Sequence, residues 1–133
     1  MMLALGAAPV QAEQKQDFGD YRVHYSAQNS TDLNLEVARR YGIVRDPRLA
    51  LVMLTVQQAG GEPVAATVRG EARNLLGQKQ PLEMREVREG KSIYYLGLFA
   101  ISHRETQAFD FEIHPAGSTA VFRLRFSQQF FVD

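Results

Sequence analysis

The 133-residue chain has room for one domain, and 45% hydrophobic with 23% charged residues is the balance of a folded globular protein rather than a disordered one. Fifteen basic residues cancel fifteen acidic ones, which removes the global positive field that nucleic acid or an anionic membrane selects; only local patches remain. There is no cysteine, so disulfide staples, zinc–thiolate centres and cysteine nucleophiles are excluded.

Residues Met1 to Val10 are apolar and uncharged, and Val10-Gln11-Ala12 precedes the polar run Glu13 to Asp17. Small residues at the third and first positions before such a junction suit a signal peptidase, so residues 1–12 read as a signal peptide cleaved after Ala12. No Lys or Arg precedes the apolar stretch, which leads us to expect either a start further upstream or an internal methionine at position 1. Ten apolar residues are too few to cross a hydrocarbon core, which needs about 20, so no membrane span is expected. Residues 17–133 read as a single domain that holds itself together by burial alone.

Phe18 to Ala27, FGDYRVHYSA, alternates: Tyr21, Val23, Tyr25 and Ala27 point to one face and Arg22, His24 and Ser26 to the other. Asn29-Ser30-Thr31-Asp32 is a turn cluster, and a short helix follows over Leu35 to Tyr41. Asn34 is its N-cap, Glu36 and the pair Arg39–Arg40 match its dipole, Gly42 suits the left-handed residue beyond its end, and Ile43 packs back on Ala38. Leu49 to Gln57 is apolar on both faces and reads as a central strand. A turn at Ala59 to Pro63 leads to a strand over Val64 to Asn74, in which Gly70 marks a bulge or a close backbone approach. Leu76 to Lys79 turns the chain into a short polar edge strand from Pro81 to about Arg88, and Glu89-Gly90 turns it again. Ser92 to Ile101 is apolar on both faces. Phe109, Phe111 and Ile113 alternate with polar residues, and after Pro115 to Ser118 the residues Ala120, Phe122, Leu124 and Phe126 face in. The pattern predicts an all-β fold of about seven strands with one helical insert, an immunoglobulin-like antiparallel β-sandwich or a small barrel.

Tyr21 to Ala27, Val37 to Arg45 and the C-terminal FRLRFSQQFFVD resemble a family of small exported proteobacterial proteins known only as domain of unknown function 4426. The resemblance covers nearly the whole chain after the leader. It implies an immunoglobulin-like sandwich in the periplasm and carries no activity, cofactor or site residue with it. Leu35-Glu36 and Asp46 depart from the family pattern, which has a proline and a serine there.

Few residues point to chemistry. His24, His103 and His114 show no H-x-H or H-x-x-x-H spacing, and ordinary polar surface competes with metal ligation at each. Copper carriage calls for clustered soft ligands, and Met53 and Met84 neighbour no histidine in sequence. No Gly-x-Ser-x-Gly elbow and no phosphate-cradling glycine loop occurs. Of the pairs Tyr94–Tyr95 and Phe130–Phe131, one member each must face inward. The one basic cluster is Arg39, Arg40, Arg45 and Arg48, with Asp46 as the sole acid among them, carried on the insert; a solvated cap competes with a binding patch there. The expectation is therefore a non-enzymatic periplasmic module without cofactor. It would bind a protein or small anionic ligand through Arg39, Arg40, Arg45, Arg48 and His24. The alternative is a metal-binding protein or enzyme using His24, His103 and His114.

Overall fold

The computed structural model describes residues 13–132; the segment read as a signal peptide lies outside them, as does residue 133. In chain order the described residues form β1 (Gln14–Phe18), β2 (Tyr21–Asn29), α1 (Leu35–Tyr41), β3 (Leu49–Gln58), β4 (Ala66–Asn74), β5 (Lys79–Leu82), β6 (Arg85–Glu89), β7 (Ser92–Ala100), β8 (Thr106–Pro115) and β9 (Phe122–Gln129). A five-stranded sheet has the order β1-β2-β3-β7-β6 and a four-stranded sheet the order β5-β4-β8-β9, with every pairing antiparallel. This is the expected sandwich, with nine strands rather than about seven.

Both additional strands come from breaks that a continuous alternation hides. Gly19, at φ +58°, lets the chain reverse after Phe18, so the first strand is a hairpin of β1 and β2. The polar stretch after Lys79 splits because Glu83 and Met84 carry the chain from one sheet to the other. β5 pairs with β4, and β6 with β7. At that crossing a Cβ on Gly97 would lie 2.5 Å from the Met84 sulfur, so a larger residue there would displace the methionine side chain. The side chain of Gln80 seals the same side by donating to the Ala100 carbonyl (2.9 Å) and accepting from its N–H (2.8 Å).

The main core lies between the sheets, where Val23, Leu54, Phe109, Phe111 and Leu124 are fully enclosed. Phe18 stacks on Phe122 at 4.9 Å, and Tyr25 meets Phe126 at 4.5 Å, closing the side opposite the crossing. The Tyr95 hydroxyl accepts the Ala66 N–H (2.7 Å) and donates to Glu86 (3.0 Å), joining the two sheets through a buried ring. Gly70 is a close approach and not a bulge: its pairing with Leu82 and Phe111 runs in unbroken register, and the Phe111 ring lies directly over it.

A second, smaller core sits on the outer face of the five-stranded sheet. Ala38 and Ile43 of the insert cover Leu51 and Leu96 there, with Met53, Tyr41 and Val87 at the margin. Helix α1 has the expected limits. Asn34 Oδ1 accepts from Glu36 N–H (2.7 Å) and Val37 N–H (3.3 Å), Gly42 adopts φ +67°, and Ile43 N–H returns to the Ala38 carbonyl (2.8 Å).

Candidate functional site

The insert is built on two side chains. A single turn of 3-10 helix, Ser30–Asp32, follows β2, and the buried Ser30 hydroxyl both accepts the Asp46 N–H (2.9 Å) and donates to the Asp46 carbonyl (2.8 Å). That clamp brings residues 43–48 back along the turn toward β3. Asp46 then receives the Arg48 backbone N–H (2.8 Å), Nε (3.2 Å) and Nη2 (3.0 Å). The Arg48 hydrogen bonds hold the Asp46 carboxyl below its ordinary range.

The four arginines divide into two pairs. Arg40 reaches Glu36 (3.5 Å) on its own helix and Glu89 (3.4 Å) at the end of β6, so it ties α1 to the sheet edge. Arg39 is exposed beside it. Arg45 donates to the Thr31 carbonyl (2.7 Å), and Arg48 caps Asp46, both at the end of the sandwich where β3 begins.

Beside α1 the insert leaves an open groove of about 640 Å³. Leu51, Leu96 and Leu98 form its floor, Gly42 and Ile43 one wall, and the crossing from Pro81 to Arg85 the other. Leu98 is 45% exposed on this floor, and Val44, the residue after Ile43, is 68% exposed. Arg85 donates to the Tyr41 carbonyl and Glu83 stands on the same wall, so the rim carries both charges. Such a surface can hold an apolar side chain next to a polar backbone; it presents no nucleophile. Sequence reasoning passed over these residues. The signal was there, since Leu49 to Gln57 and Ser92 to Ile101 are apolar on both faces, but double-sided apolarity was assigned to centrality alone.

The three histidines are not brought together. His24 stands on the outer face of β2, with Nε2 3.2 Å from Gln57 Oε1 and Nδ1 3.4 Å from Glu13 Oε1. His114 is on the opposite sheet, where its Nε2 donates to Glu112 (3.0 Å) and draws that carboxyl below its usual range. His103, in the loop after β7, accepts the Val132 N–H at Nδ1 (2.9 Å). Among the described residues no three His, Cys, Asp or Glu side chains are placed to hold a metal ion. The carboxylates with lowered pKa, Asp17, Asp46, Glu86 and Glu112, owe it chiefly to an exposed Arg or His neighbour. No helix among the described residues is long and apolar enough to cross a membrane.

Known proteins agree with this architecture. The crystal structure of a DUF4426 family protein from Pseudomonas aeruginosa PAO1 is similar at 38% identity and a TM-score of 0.80, covering 91% of this chain and 96% of that one. FetP of uropathogenic Escherichia coli strain F11, recombinantly expressed in the periplasm of E. coli, shares the fold at 9% identity and a TM-score of 0.66, over 92% and 95% of the two chains. A copper-bound single-residue variant of FetP gives 9% and 0.64, over 92% of each chain. No curated protein matches. The model of a family described as a domain of unknown function, DUF4426, matches residues 15–133, and the chain belongs to that family.

Proposed function

We propose that this protein is a non-enzymatic binding module of the periplasm, and that it holds an extended segment of a protein partner in the groove beside α1. The observation that carries this reading is Leu98, left exposed on the groove floor beside the covered Leu51 and Leu96. The outer face of an antiparallel sheet is ordinarily polar where it meets water, yet Leu98 remains 45% exposed between the insert and the β5–β6 crossing. Arg85 at the rim suits an acidic residue of that segment, and Glu83 on the same wall suits a basic one. The apolar leader and its small-residue junction support export.

A photo-crosslinking side chain at Val44, compared with one at Thr67 on the opposite sheet, tests the reading in intact cells. A discrete adduct from position 44 alone, lost when Leu98→Glu is added, is the expected result. Equal labelling from both positions refutes it. The copper bound by the FetP variant favours a second reading, a metal carrier. Elemental analysis of the purified protein separates the two, because one transition metal per chain belongs only to the second.

A further inference from the structure

The end of the sandwich away from the Gly19 turn carries an apolar tip that the groove does not involve. Between β4 and β5 the chain turns through Leu75 and Leu76, which are 83% and 84% exposed. The turn is held rigid from below. Asn74 Oδ1 accepts the N–H groups of Leu76 (3.0 Å) and Gln78 (2.9 Å), while its Nδ2 donates to Gln78 (2.6 Å) and Glu105 (3.1 Å). Through Glu105 the tip joins the loop after β7, whose carbonyl at Glu105 accepts the Phe130 N–H (2.9 Å). Phe131, next along, is 56% exposed.

Several cations share this end of the sandwich with the tip. Lys79 follows the turn directly and is exposed, Arg104 stands in the adjoining loop, and Arg45 and Arg48 project from the neighbouring segment, where the Arg48 carbonyl accepts the Ile101 N–H (2.9 Å). Of the acids nearby, Glu105 is turned inward onto Asn74, Gln107 and the Ser102 N–H, and Asp46 is neutralised by Arg48. Asp32 is exposed, and Asp133 lies outside the described residues. Arg104 is the one non-glycine with positive φ among the described residues (+64°), a conformation that glycine or asparagine adopts with less strain.

We propose that this end of the sandwich docks on an anionic phospholipid surface, with Leu75 and Leu76 entering the acyl boundary and Lys79, Arg104 and Arg45 resting on headgroup phosphates. A convex turn with two adjacent leucines is too small for a stable protein interface, and leucine is not a typical interface anchor. A bilayer accepts such a tip, because each side chain transfers independently and each nearby cation adds its own attraction. The Asn74 clamp presents both side chains without ordering anything on contact. This docking leaves the groove beside α1 clear, so it is separate from the function proposed above.

The chain has no tryptophan, so Leu76→Trp makes a reporter that reads the turn alone and ignores any binding by the apolar N-terminal segment. Vesicles containing phosphatidylglycerol should shift its emission to the blue and allow quenching by brominated acyl chains. Partition should fall about tenfold or more with Lys79→Gln and Arg104→Gln together, or with raised salt, since each cation contributes about fivefold. Leu75→Ser in the same background should weaken it about tenfold more. The thermal midpoint, unchanged in all three variants, shows that folding is intact. Unshifted emission with anionic vesicles overturns the proposal, and so does equal partition into phosphatidylcholine alone. A blue shift that grows with protein concentration in the absence of lipid also overturns it, because a second copy then covers the turn.

Discussion

Replacing Gly70 with alanine adds one methyl group at the tightest point between two strands. Gly70 sits opposite Phe111 across the β4–β8 pair, and a Cβ there would fall 2.5 Å from Phe111 Cε1 and 3.1 Å from Cγ, against a comfortable carbon–carbon separation of about 3.5–4.0 Å. The ring must therefore retreat by about 1 Å. It has nowhere to go. Phe111 is fully buried and lies parallel to Phe109 (6.3 Å, 5°) and Phe126 (6.2 Å, 17°). Overpacking of this kind costs about 1–3 kcal/mol. Alanine recovers about 0.5–1 kcal/mol by restricting the unfolded chain, and the backbone at Gly70 sets no further penalty because its φ is not positive. The expected net loss is about 1–2 kcal/mol, or a fall of roughly 4–8 °C in the midpoint for a domain of this size. Calorimetry of Gly70→Ala, alone and with Phe111→Leu, measures it. The double variant should show a coupling of about 1 kcal/mol, since a smaller side chain frees the space. A rise in Tm for Gly70→Ala alone would refute the reasoning.

Tyr25→Ala should destabilise by about 2–4 kcal/mol through loss of its contact with Phe126, whereas His24→Ala, one position away on the outer face, should change stability by less than about 1 kcal/mol in chemical denaturation. If the histidine proves the costlier residue, His24 is more than surface. Tyr95→Phe should cost about 1–3 kcal/mol, because the Ala66 N–H loses its acceptor. Burial pushes the Tyr95 hydroxyl above its ordinary pKa of about 10, so the folded protein holds that proton more tightly than the unfolded chain. Its contribution is complete below pH ~10 and is lost as the pH rises through the folded value. Urea midpoints between neutral and strongly alkaline pH should therefore fall less steeply in Tyr95→Phe than in the parent.

Local chemistry was legible and distant pairing was not. The insert helix could be placed to the residue because its signals lie within nine positions, from the Asn34 cap to the Gly42 stop. Strand faces were legible for the same reason. Alternation puts Tyr25 inward and His24 outward whatever the neighbouring strand is; for Tyr94–Tyr95 and Phe130–Phe131 it requires only that one of each face in, and these are Tyr95 and Phe130. The passage from β5 to β6 was hidden because it depends on Met84 finding Gly97, a partner that sequence order does not mark. The arginine cluster misled in the same way. Four guanidiniums within ten residues look like one patch, but Arg40 is drawn to Glu89, 49 residues on, while Arg48 folds back on Asp46. The groove escaped because a strand that is apolar on both faces reads alike whether its second face is covered or left open.

β1 bears on how the sandwich opens. Four of its five side chains are exposed, and Phe18, stacked on Phe122, is its only inward anchor. It is also an edge, bonded to β2 alone. Its amides should therefore exchange with solvent through local fraying long before those of β3 or β8, whose release requires the whole core to come apart. Each time β1 lifts away, β2 becomes the rim of its sheet, and the backbone groups that faced β1 are left free. β1 can thus leave the fold while disturbing the interior by little more than one aromatic ring.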